Sequence, residues 1–161
     1  MADEYFLEID GIEGESHDAR HQDEIELDGW SFGGAASGSF QAGGGAGAGK
    51  FNAQDFQFTA KVSKASPLLF QACATGKHLP RATLTARKAG ANPQDYLKIT
   101  QTDVLIASYQ QSGSSGSDAP PRDQVSLTYA KIELEYKPMN PDGSLGGSVK
   151  AGFDLKTNRP V

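Results

Sequence analysis

Residues 24–62, EIELDGWSFGGAASGSFQAGGGAGAGKFNAQDFQFTAKV, read as a strand, a long glycine-rich excursion and a second strand. Ile25 and Leu27 alternate with Glu26 and Asp28, the two-residue period of a half-buried strand. Trp30 and Phe32 then alternate with Ser31 and Gly33 in the opposite phase. The slip falls at Asp28-Gly29, which predicts a β-bulge with Gly29 as its left-handed residue. Beyond the excursion, Phe56, Phe58 and Val62 share a face opposite Asp55, Gln57, Thr59 and Lys61. The excursion itself is largely Gly and Ala, with no hydrophobic periodicity, so it cannot order itself alone. A structureless connection of this length, held at both ends by strong strands, is functional or disordered.

The full chain of 161 residues is 37% hydrophobic and 22% charged, with a net charge of −5. That describes a single globular domain, 1–161, able to bury about 70% of its unfolded surface. No apolar run approaches the roughly 20 residues that span a bilayer, so no membrane insertion is expected. The opening MADEYFLEID is acidic and strand-like, with Tyr5, Leu7 and Ile9 on one face. It lacks the basic and apolar regions of a secretory leader, which points to cytosolic synthesis. A negative net charge with scattered basic residues gives no nucleic-acid partner. One cysteine excludes an internal disulfide and a multi-cysteine zinc site.

Three motifs invite chemistry and are set aside. His17 and His21, four apart among Glu15, Asp18 and Asp23, have helical metal-ligand spacing. Their stretch, 10–23, has no apolar face to anchor a helix and lacks HExxH, so it reads as a solvated polar loop. Gly44 to Lys50 fits GxxxxGK, but Phe51 stands where a magnesium-binding Ser or Thr is needed, and strand-like sequence follows. Cys73 and His78 are near in sequence but no orienting carboxylate or amide accompanies them. No catalytic residue, metal or cofactor is assigned.

One helix is predicted, about residues 66–76, with Ser66 as N-cap, Pro67 at the first helical position and Gly76 just past the end. Leu68, Leu69, Ala72 and Cys73 supply its apolar stripe, which makes Cys73 a core residue. The rest is strand. Ala82, Leu84 and Ala86 oppose Arg81, Thr83, Thr85 and Arg87. Leu97 and Ile99 take one phase, while Val104 and Ile106 take the other. Val125, Leu127 and Tyr129 shift to Ile132, Leu134 and Tyr136, which places a bulge or bend near Ala130-Lys131. Val149, Ala151, Phe153 and Leu155 form a last face. About seven strands and one helix argue for a mainly β antiparallel barrel or sandwich. The phase changes imply strands that pass from one packed sheet to another or into a subunit contact.

The blocks GESHDARHQDEIELDGWSFGG, GSFQAGGGAGAGKFNAQDFQFT, SPLLFQACATGKHLPRATLTARKAG and VSLTYAKIELEYKP together resemble the haemolysin-coregulated proteins, the tube subunits of bacterial type VI secretion. The likeness runs in order from about Tyr5 to Leu155, and the linker 110–123 is its least similar part. It implies an antiparallel β-barrel of two packed sheets with one lateral helix, assembled as a homohexameric ring. It implies rings stacked head-to-tail into a tube with sheath and spike partners, released from the cell without a cleaved signal, carrying effectors in the lumen. On that reading Ser31, between the core-facing Trp30 and Phe32, points outward and lines the channel. The excursion 38–50, with Phe40, Gln41, Gly43, Gly44, Gly45, Gly47, Gly49 and Lys50, would meet a neighbouring subunit or ring. The rival reading is a monomeric β-sandwich that binds a small ligand or glycan. It calls for exposed aromatics, whereas Trp30, Phe56 and Phe58 all take core-like phases.

Overall fold

A computed structural model describes residues 2–37, 50–90 and 92–161. Among them are nine strands and one helix: β1 (Asp3–Ile9), β2 (Ile25–Leu27), β3 (Gly29–Ala36), β4 (Phe51–Lys61), α1 (Ala65–Thr75), β5 (Leu79–Lys88), β6 (Gln94–Ser112), β7 (Arg122–Tyr136), β8 (Val149–Asp154) and β9 (Arg159–Pro160). All pairings are antiparallel, along the path β2-β1-β5-β6-β7-β4-β3, with β8 added to β7 and β9 to β8.

The two long strands, β6 with 19 residues and β7 with 15, are the shared spine of two half-sheets. In one half, residues 94–104 of β6 carry β5, β1 and β2 on one side, and residues 131–136 of β7 carry β8 on the other. In the other half, residues 122–127 of β7 carry β4 and then β3. The core-facing phase reverses between the halves: Ile99 and Ile132 are buried in one, and Val104, Ile106, Val125 and Leu127 in the other. Pairing register runs unbroken through the reversal, since Thr102 faces Lys131 and Val104 faces Tyr129. The turnover falls between those pairs, at Asp103 and Ala130, and Asp103 takes φ +57° to allow it. Side chains can change face without a change of partner only if the backbone twists locally, which a left-handed residue supplies.

The slip at Asp28 also marks a passage between the half-sheets, here with a change of partner. Before it, β2 pairs with β1; after it, β3 pairs with β4, and the Asp28 N–H donates to the Thr59 carbonyl at 2.8 Å. The chain changes half-sheet there. Gly29 is not among the described residues with positive φ, so the predicted glycine bulge is replaced by a crossing, and the register shift comes later, between Ser31 and Gly33. Because β2 and β3 are consecutive, the path curls back to the segment where it began. This is the expected barrel of two packed half-sheets, left unpaired between β2 and β3 among the described residues.

Between the halves lies the core: Leu7, Ile9, Leu27, Phe56, Phe58, Leu84, Ile99, Val104 and Leu127, with Trp30, Phe32 and Cys73 packed at its edge. Phe56 and Phe58 are fully enclosed, and each such ring contributes roughly 1.5–3 kcal/mol by leaving water. Val62 is exposed, so the apolar face of β4 stops at Ala60. Val149 likewise stands in solvent at the outer end of β8, while Phe153 packs edge-on to Phe51.

Helix α1 begins one residue before the predicted N-cap. Lys64 occupies that position without a side-chain bond, and Ser66 lies buried in the first turn. Its hydroxyl donates to Asp123 of β7, which also accepts from the Tyr109 hydroxyl at 2.6 Å. Ser66 therefore fastens the helix to the spine, which a cap residue could not do. Gly76 closes the helix at φ +64°, as expected. Leu69 and Ala72 are buried and Cys73 is half-buried, but Leu68 is exposed.

Residues 10–24 are not the solvated loop that their composition predicts. Gly14 donates to the Asp23 carbonyl at 2.7 Å and Ser16 to that of Glu24 at 3.1 Å, which folds the segment on itself as a strap. Beneath it are Phe6 and Arg87, on the faces of β1 and β5 turned away from the core, both nearly inaccessible. That is why Thr85 and Arg87 are buried although they take the polar phase of β5.

Candidate functional site: an uncharged polar sheet face

Trp30 and Phe32 point to the core and stack with centroids 6.3 Å apart, and Trp30 stacks on Phe56 at 6.2 Å. Alternation then turns Ser31 outward, where it is exposed. Register shows what surrounds it. Ser31 faces Gln57, Gln57 faces Ser126, and Ser126 faces Ser108, one residue from each of β3, β4, β7 and β6. The neighbouring row is Gly29, Thr59, Gln124 and Gln110. These eight residues form a grid on the outer surface of a four-stranded ribbon, and none carries a charge.

The grid is rich in hydrogen-bonding groups. Each glutamine offers two donors and two acceptor sites, and each hydroxyl does both. Ser108 donates to Ser126 at 2.8 Å, leaving most of the other side chains to solvent or a partner. A shallow depression of about 190 Å³ lies at its β3–β4 side, lined by Gly29, Trp30, Ser31, Gln57, Phe58, Thr59 and Gln124. Charge flanks the grid on both sides: Asp55 precedes Gln57 on the same face of β4, and beyond Thr59 Lys61 faces Arg122, which pairs with Asp28.

Both lateral edges of the ribbon are open. Among the described residues, β3 pairs only with β4, and residues 105–112 of β6 pair only with β7. Such edges offer rows of backbone donors and acceptors to another strand.

Of the residues singled out in the sequence, Ser31 sits in this grid. Lys50 is exposed at the foot of β4, where its carbonyl accepts from the Ser37 N–H and hydroxyl, both at 3.1 Å. Phe40, Gln41, Gly43, Gly44, Gly45, Gly47 and Gly49 lie outside the described residues. Gln57, Thr59, Ser108, Gln110, Gln124 and Ser126 were missed as a group. Their signal was present, since each occupies the phase opposite a core residue, but only strand register shows that they are neighbours.

Among the described residues the histidine and cysteine motifs do not assemble, and Gly44 to Gly49 lie outside them. His17 is exposed while His21 is buried with both ring nitrogens directed to carboxylates, so neither offers a metal the pairing their spacing suggested. Phe51 opens strand β4, not a helix whose N-terminus could hold phosphate. His78 pairs with Asp103 at 3.3 Å, away from any role with Cys73. No helix among the described residues is long and apolar enough to cross a membrane.

Comparison with known proteins gives a consistent set. Residues 6–136 match the family model described as Type VI secretion system effector, Hcp. The chain is 44% identical to protein hcp1 of Pseudomonas aeruginosa over 160 residues, covering 98% of each. It superposes on Hcp1 from Salmonella typhimurium with a TM-score of 0.83 and 38% identity, covering all of both chains. A solved type six secretion system protein gives a TM-score of 0.93 at 26% identity, over 99% of this chain and 100% of that one. A type VI secretion system effector from Yersinia pestis gives 0.76 at 33% identity, over 93% and 98%.

Proposed function

The chain belongs to the Hcp family of type VI secretion systems, and we propose that it is a structural subunit of the secretion tube, forming stacked homohexameric rings whose lumen carries effector proteins. The observation that carries this reading is the four-stranded ribbon with an uncharged polar face and two open edges. Edge strands of successive copies that pair laterally extend the ribbon into a continuous wall, which removes the exposed edges of every subunit at once. Because the core occupies the inner face of the ribbon, the grid around Ser31 becomes the surface of that wall. An uncharged patch in the lumen, flanked by Asp55 on one side and by Lys61 and Arg122 on the other, would hydrogen-bond cargo of either sign without strongly favouring one.

The excursion 38–50 is proposed to contact a neighbouring subunit or ring from its base at Ser37 and Lys50. The subunit is made in the bacterial cytoplasm and leaves with the tube, meeting sheath and spike components on the way. It performs no reaction of its own. The reading as a monomeric β-sandwich that binds a small ligand or glycan is the less favoured, because Trp30, Phe56 and Phe58 pack against the core rather than facing solvent.

Native mass measurement with negative-stain imaging tests the assembly. The expected result is a ring of six 17.0 kDa subunits with an open centre. A monomer at all concentrations, with no annular particles, overturns it.

A further inference from the structure

Both open edges of the ribbon are free of charge. Strand β3 reads GWSFGGAA, and residues 105–112 of β6 read LIASYQQS. Proteins that keep an edge strand from pairing place charges or proline on it, and neither edge has either. By contrast β2, at the far end of the sheet path, carries Glu26, and β8 carries Lys150 and Asp154. Strand direction fits as well. Each of β3, β4, β7 and β6 is antiparallel to the next, so β3 and β6 run in opposite senses. A copy set beside β6 by its own β3 therefore continues the ribbon with antiparallel pairs.

Aromatic side chains lie behind both edges, on the core side. At the β3 edge Trp30 and Phe32 are only half-buried. At the β6 edge Tyr109 is half-buried, and Phe70 of α1 meets it edge-on at 6.1 Å while remaining 60% exposed. Helix α1 packs on β6 and has no charged residue in ASPLLFQACAT, although Leu68 and Phe70 face solvent. A surface helix ordinarily sets charged and polar residues on its outer face. One exposed phenylalanine is common in any protein. One that stands on an uncharged helix, beside an uncharged strand edge, continues the apolar surface of that edge.

We propose that Phe70 and Tyr109 of one copy close against Trp30 and Phe32 of the next, forming an aromatic seam on the core side of each junction in the ring. The inference rests on the tube reading above and names the side chains that hold its subunits together. A second copy is the fitting occupant, because the chain carries the two halves of the contact on opposite edges. Such a contact joins one patch to a different one, so it repeats from copy to copy until a ring closes. Backbone pairing supplies direction at the junction. The seam supplies apolar burial and keeps water from the hydrogen bonds beside it.

Trp30 is the only tryptophan in the chain, so its emission reads the seam directly. When rings of the unaltered chain are diluted, emission should move to longer wavelength in step with the loss of ring mass. Phe70→Asp changes a side chain that is exposed in the subunit and should keep its circular dichroism. It should raise the concentration needed for rings by about tenfold or more. Phe70→Leu keeps an apolar group there and should lose much less. The seam is overturned if rings come apart with no change in Trp30 emission, if folded Phe70→Asp assembles at the unaltered concentration, or if the two variants lose assembly equally. Each of those results leaves the tube reading standing. An unaltered chain that forms no rings overturns the tube reading, and the seam with it. Should Phe70→Asp not fold, the emission of the unaltered chain on dilution decides alone.

Discussion

Asp18 takes its character from one neighbour. The bond from Arg87 is the largest influence on its carboxyl and lowers it from 3.8 to about 2, while burial opposes. A carboxyl lowered on folding adds stability above its unfolded pKa and loses it as pH falls through the folded value. The window is therefore from about 3.8 down to about 2. Asp18→Asn should lower the melting temperature at pH 7 and flatten its decline across that window; an unchanged acid profile would refute the assignment. Cys73 calls for a more graded expectation than its place on the apolar stripe suggested. Being half-buried, it should react with thiol reagents more slowly than in denaturant, yet measurably. Cys73→Ala should cost about 1 kcal/mol or less. A loss of export with the fold intact would reveal a role for the thiol. Ser31 belongs to the proposed lumen: Ser31→Gln should leave ring mass unchanged and weaken retention of at least one co-expressed effector. Ring loss in that variant would place Ser31 at a subunit contact instead.

The elements were legible wherever one side of a strand faces the core. Alternation located Ile25–Leu27, Phe56–Phe58 and Leu97–Ile99 because those residues bury one face and wet the other, and it located Ala82–Ala86 by its polar phase although the strap covers Thr85 there. The phase slips at Asp28, between Ile99 and Val104, and near Ala130 were visible too, and taken together they read as strands passing between packed sheets or into a subunit contact. Which slip is a bulge, a bend or a crossing was not legible, because the three give the same local pattern. The strap failed for a different reason. It buries His21, Ser16 and Gly14 rather than an apolar stripe, so hydropathy had nothing to report. Ser66 failed likewise: its preference for helix starts was overruled by Asp123, nearly sixty residues away. The strap also carries its own test. A Cβ on Gly14 would lie 2.5 Å from the Glu24 carbonyl oxygen and 2.7 Å from the Ile25 Cα, both backbone atoms that cannot step aside. Gly14→Ala should therefore destabilise by about 1–3 kcal/mol, read as a lower denaturant midpoint. An unaltered midpoint would mean that the strap packs more loosely than these distances allow.

For the whole molecule, the sequence carried the family likeness but not the reason that an acidic β protein should assemble. The geometry of the ribbon supports the proposed assembly: open edges present unpaired backbone donors and acceptors that invite another strand. The excursion 38–50 can then be separated from the barrel by experiment, because its ends are already closed. Ala36 faces Phe51, and Ser37 makes two bonds to the Lys50 carbonyl, so the β3–β4 pairing does not depend on what lies between. Glycine-rich chain costs roughly 1–2 kcal/mol per residue to order, a cost that only a partner surface offsets. Replacing residues 41–48 with a short Gly-Ser turn should preserve circular dichroism, melting behaviour and the single ring. Stacking of rings, followed by sedimentation and electron microscopy, should fail, and export should fail with it. If the shortened chain unfolds, the excursion is part of the barrel's own core. If it stacks and is exported normally, the contact between rings is made elsewhere, and the open ends of the half-sheets become the surface to test.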